Sequence, residues 1–101
     1  MKEFKENDII SLKLVSGEEV IGKFKSKTAD ATTIEKALVM MHGPKGLAFG
    51  TFFATANSDN GIDILNDKLI SIGLTNNKVK DEYARVTSSV VQPTKKTILT
   101  S

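Results

Sequence analysis

The sequence predicts a mainly β fold: a small, strongly bent antiparallel sheet or barrel with one C-terminal α-helix. Three observations point there. Several short segments alternate apolar and polar side chains with a period of two, turn residues separate them at close intervals, and a single stretch near the C-terminus carries an apolar stripe at helical spacing. The chain has 101 residues, the size of one compact domain. Residues 1–92 are read as that domain and 93–101, which open on Pro93, as a tail that is either disordered or an added strand. A barrel of about five short strands must bend them sharply, and Gly17, Gly22, Gly50 and Gly73 are the expected places for bends or close approaches.

The elements follow in order. In residues 9–15, Ile10, Leu12 and Leu14 point one way and Ser11 and Lys13 the other, as on a half-buried strand. Ser16-Gly17 is a turn pair. In residues 18–27, Val20, Gly22 and Phe24 share one face and Lys23, Lys25 and Lys27 the other. The two segments form a β-hairpin, and Ile21, which interrupts the polar face, predicts that something covers that face too. Residues 28–31 read as a turn with Asp30 capping the backbone. Residues 32–41, TTIEKALVMM, are β-branched and then apolar, a third strand. Residues 42–46, HGPKG, are a turn. Residues 47–55, LAFGTFFAT, are apolar on both faces, which predicts a strand that is sandwiched inside or lies at a subunit contact. A polar loop over 54–61 leads to a short strand (IDIL), a tight turn (NDK) and a last strand over 69–74. The helix is expected over about 76–89, N-capped by Asn76 or Asn77. Its stripe is Val79, Tyr83, Val86 and Val90, with Lys78–Glu82 and Asp81–Arg85 as i,i+4 ion pairs.

Composition excludes more than it assigns. There is no cysteine, so no disulfide, thiolate nucleophile or Cys-ligated metal, and the single His42 excludes multi-His metal sites. Fourteen Lys+Arg against 12 Asp+Glu leave a net charge of +2, too weak a field to select nucleic acid or membrane. No apolar run nears the ~20 residues that span a bilayer. The N-terminal MKEFKENDII carries acids where a signal peptide is apolar, so the cytoplasm is the expected compartment.

Two stretches carry a family resemblance. Residues 12–38, LKLVSGEEVIGKFKSKTADATTIEKAL, resemble the first signature of the Sm-like (LSm) proteins, with Leu12, Leu14, Gly17, Val20, Gly22 and Phe24 in the matching places. Residues 62–72, IDILNDKLISI, resemble the second, matched at Ile62, Ile64, Leu69 and Ile72. The order of segments looks most similar to a phage-encoded, cyanophage-like branch. The resemblance implies a strongly bent β-barrel, a homo-oligomeric ring of about five to seven subunits, single-stranded RNA as ligand, and the host cytoplasm if the gene is a phage's. The chain also departs from the family. Ala31 or Thr32 stands where RNA-binding members carry an Asn, Leu65-Asn66 stand where they carry Arg-Gly, the N-terminal helix is missing or reduced to the residues before Asp8, residues 42–61 form a longer apolar insertion, and the C-terminal helix is an extra. The ring is thus expected to outlast the usual base pocket.

Other motifs have simpler readings. Gly17 to Lys23 fits most of a P-loop, but Phe24 replaces the hydroxyl that holds magnesium, and hairpin geometry explains both glycines. Asn57, Asp59, Asn60, Gly61 and Asp63 are oxygen-rich, yet their spacing fails the EF-hand pattern, so a solvated loop is expected. His42 reads as a turn residue. Lys13, Lys23, Lys25 and Lys27 offer a phosphate track or simply a solvated strand face diluted by Glu18, Glu19 and Glu35.

The resulting expectation is a non-enzymatic ring-forming protein without cofactor, metal or membrane. RNA, if bound, would meet the loop of Lys27, Thr28, Asp30 and Thr32 and the turn of Asn66 and Lys68, with the lysines on phosphate and Asp30 and Asn66 on a base edge. Subunit contacts are expected at Phe49, Phe52, Phe53, Ile70 and Ile72. The alternative is a phage structural or protein-interaction ring that binds no RNA and works through the Phe-rich insertion and the helix.

Overall fold

The computed structural model describes residues 3–88; Val90 and the tail after Pro93 lie outside them. The protein is mainly β: strands β1 (Ile9–Leu14), β2 (Glu19–Lys27), β3 (Ala31–Gly43), β4 (Gly46–Thr51), β5 (Ile62–Leu65) and β6 (Leu69–Leu74), then helix α1 (Asn77–Ser88). All pairings are antiparallel. The order is β4-β3-β2-β1-β6, with β5 also paired to β3.

The period-two pattern sets which face is buried. Ile10, Leu12 and Leu14 of β1, Val20 and Phe24 of β2, Ile34 and Ala37 of β3, and Ile62 and Ile64 of β5 form one cluster. Leu69 and Ile72 of β6 pack on its margin. No second sheet exists among the described residues, so one face gathers these side chains only by curling on itself. Register shifts in the β2–β3 ladder supply the bend. Gly22 makes the curl possible, because a Cβ there would lie 2.7 Å from the Ile34 side chain. Phe4, which carries no period of its own, plugs one end against Phe24 at a ring distance of 5.7 Å.

On the side away from β2, long β3 serves two partners in turn. Its first half pairs with β5 (Ala31↔Leu65 to Ile34↔Ile62), its second with β4 (Leu38↔Thr51 to Gly43↔Gly46). Between them Lys36 adopts a positive φ of 55°, where a side chain is disfavoured and a bulge re-aims the strand. Tyr83, the one buried residue of α1, donates its hydroxyl to the Lys36 carbonyl at 2.7 Å. Ile21 is buried outside the main cluster and lies opposite Leu38. Leu38 in turn lines a cleft with Val86 and Thr87 of α1, so the second covered face that Ile21 predicts is on the helix side.

Several expectations are corrected. The β3–β4 turn is confined to Pro44-Lys45, so His42 is a strand residue opposite Leu47. β4 stops at Thr51 instead of running to residue 55 and is not sandwiched, since Leu47 is 55% exposed. The 28–31 turn is capped by Thr28, whose Oγ1 accepts from the Asp30 and Ala31 amides, so Asp30 is not the cap. Of the two expected helix caps Asn76 is the one used, its Oδ1 accepting from the Val79 amide. Arg85 pairs with Glu82 and not with Asp81, and Val86 in the expected buried stripe is 51% exposed.

Candidate functional site

The β3–β5 ladder sets the loop after β2 beside the turn after β5, because Ala31 stands opposite Leu65. A 3-10 turn at Asn66–Lys68 follows, and the Asn66 amide donates to the Asp30 carbonyl at 2.8 Å. The Asn66 side chain completes the union. Its Nδ2 donates to the Thr28 and Ala29 carbonyls at 2.9 and 3.2 Å, and its Oδ1 accepts from the Thr32 hydroxyl at 2.8 Å. Lys68 is tied in through its carbonyl, which accepts from the Val15 amide at 2.8 Å.

The six residues expected at this site thus differ in what they offer. Thr28, Asp30, Thr32 and Asn66 are brought together. Thr32 is fully buried, so it does not face a ligand; it holds Asn66. Asn66 has both amide hydrogens committed inside the chain, leaving one lone pair on Oδ1 for anything outside. Thr28 is the local cap. Asp30, Lys27 and Lys68 are the exposed groups that remain. Asn66 therefore acts as a clamp between loops, a role that its place in a polar turn did not announce.

The lysine face is partly neutralised. Lys25 Nζ lies 2.8 Å from Glu6 and 3.8 Å from Glu35. The hydrogen bond to Glu6 raises the Lys25 pKa and lowers that of Glu6. In the oxygen-rich loop, Asn57 Oδ1 accepts from the Asp59 amide at 3.0 Å. Asp59 sits 3.8 Å from Lys36, and Asp63 accepts from the Thr33 hydroxyl at 2.7 Å, so the carboxylates point to different partners. Among the described residues no group of three or more His, Cys, Asp or Glu converges as a metal site. The P-loop reading also fails, because the Gly17 amide is donated to the Leu14 carbonyl in a hairpin turn.

The expected contact residues divide as well. Phe52 and Ile72 are half-buried against the protein's own core, and the Phe49 ring meets Tyr83 edge-on at 6.3 Å. Phe53 is 45% and Ile70 64% exposed. Leu47, Leu65 and Leu74, which are not among the expected contact residues, are also exposed; Leu74 ends a strand, β6, in which no residue is fully buried. The fold and site define a mainly β protein with one bent antiparallel sheet, a clamped pair of loops and open strand edges at β4, β5 and β6. Compared with known proteins, the chain matches no family model and no curated protein. No helix among the described residues is long and apolar enough to cross a membrane.

Proposed function

We propose that the protein is a non-enzymatic, ring-forming module of the Sm-like type. The observation that carries this reading is the set of open sheet edges. The strand order begins at β4 and ends at β6, each with one strand neighbour among the described residues, and β5, paired to β3 alone, leaves a further open edge. An open antiparallel edge is a row of unpaired N–H and C=O groups. Exposed Ile70 and Leu74 lie on the β6 edge strand. The edges are different, so pairing between copies is heterologous, and such contacts close into rings when the rotation permits. Light-scattering mass tests the reading. The expected value is about five or more times the chain mass of 11.0 kDa, falling on substitution of Ile70→Lys with Leu74→Lys. A concentration-independent monomer would sink it.

Single-stranded RNA at the clamped loops is the second part of the proposal, favoured by Asn66, which holds Asp30 in place between the Lys27 and Lys68 segments. Labelled oligo(U), oligo(A) and mixed RNA at low and near-physiological salt separate the cases. Base-selective binding that survives salt supports a pocket at Asp30. Equal, salt-sensitive binding leaves only the lysines, and no binding leaves a protein-interaction ring without RNA.

A further inference from the structure

On the opposite side of the bulge, the β3–β4 hairpin and α1 enclose a groove of about 470 Å³. Met40, Leu47 and Phe49 floor it, with Val79 on the helix wall. Met40 stands opposite Phe49 and His42 opposite Leu47, so these side chains lie on the face of the hairpin, not on the β4 edge. Lys45, at the hairpin tip, and Lys78, in the first turn of α1, line it as well. Neither has a carboxylate within 4.0 Å among the described residues. The only acid in the lining, Glu82, is taken by Arg85. The N-terminal end of α1 adds its own positive dipole to the Lys78 side.

We propose that this groove receives a short peptide segment of a partner protein in which an apolar side chain stands beside a carboxylate. The apolar floor supplies the anchor, and the two unpaired ammonium groups supply the charge complement. Met40 has a flexible, polarisable side chain that adapts to varied apolar partners. Phe49 is the one aromatic side chain in the lining and its ring already meets Tyr83, so the floor offers no pair of aromatic faces to sandwich a nucleobase. The inference requires neither the ring nor RNA, because every group in it belongs to one chain and lies away from the Asn66 loops.

The test uses the full chain and two fluorescein-labelled peptides, one alternating Leu and Glu, the other alternating Leu and Lys. The acidic peptide should bind and the basic one should not. Lys45→Glu with Lys78→Glu should weaken the acidic peptide by at least about tenfold. Leu47→Ser, which keeps both lysines, should also weaken it, separating a built groove from simple charge attraction. Both sites are exposed, and circular dichroism checks that each variant folds. Amide resonances of residues 45–49 and 78–82 should shift on titration. Equal binding of the two peptides, no binding of either, or indifference to the charge reversal would overturn the proposal. So would resonances at the groove that move on dilution of the protein alone while the peptide leaves them unchanged, since the occupant would then be a second copy.

Discussion

The two ends of β3 live in different surroundings. Around Ile34 the strand is enclosed by β2, β5 and the curled sheet, and Ile10, Leu12, Val20 and Ile34 are fully buried. Around Met40 it carries a hairpin with no fully buried residue and a helix with one, Tyr83. The first half is held by many interlocking apolar contacts. The second is held by its ladders to β2 and β4 and, on the helix side, by one side chain reaching the bulge. The difference teaches that apolar residues in a small β protein need not all be core: those past the bulge form surface that a partner can use.

The largest effect should come from the enclosed half. Ile34→Ala leaves a cavity beside Gly22 and should cost about 3–4 kcal/mol in urea denaturation; a loss below about 1 kcal/mol would mean that this half is loosely packed.

Tyr83→Phe keeps the ring but leaves the Lys36 carbonyl without its donor, and should cost about 1–2 kcal/mol. It also has a pH signature. Burial raises the Tyr83 pKa above its ordinary value. Above about pH 10 the unfolded chain releases that proton while the folded chain keeps it, so stability falls as pH rises. Urea midpoints from neutral pH to about pH 11 should drop more steeply for the wild type than for the variant. Parallel curves would show that the hydroxyl is not buried at the bulge.

Asn66→Ala strips three side-chain hydrogen bonds and isolates the buried Thr32 hydroxyl, at about 1 kcal/mol. Faster amide exchange should appear at Ala29 and Asp30 and leave α1 unchanged. Leu47→Ser should be the mildest, within about 0.5 kcal/mol of wild type, because its side chain is largely in water. A larger loss would place Leu47 in a core after all.

The sequence made the enclosed half readable because one period governs it. Ile10, Leu12, Val20 and Phe24 alternate, and burial follows. Even Ile21, out of phase, pointed to a covered second face. The bulge was not readable: nothing in Lys36 marks a lysine that takes a positive φ. Without the bulge, the fates of Phe49 and Phe52 could not be separated, and two-sided apolarity in residues 47–55 looked like interior. At the candidate site Thr28, Asp30, Thr32 and Asn66 lie together, but their hydrogen bonds run differently from the expectation. Thr28 has the capping role expected of Asp30, Thr32 donates its hydroxyl to Asn66, and Asn66 donates its amide hydrogens to the Thr28 and Ala29 carbonyls. Hydrogen-bond direction depends on the fold, and residue type alone leaves it open.

Native-state hydrogen exchange tests most directly whether the halves differ as described. Amides of β1, β2 and the first half of β3 should exchange only through global unfolding, and those of α1 through a smaller local opening that Tyr83→Phe makes easier still. Exchange of α1 and β1 at one common free energy, with Tyr83→Phe lowering both together, would contradict the account.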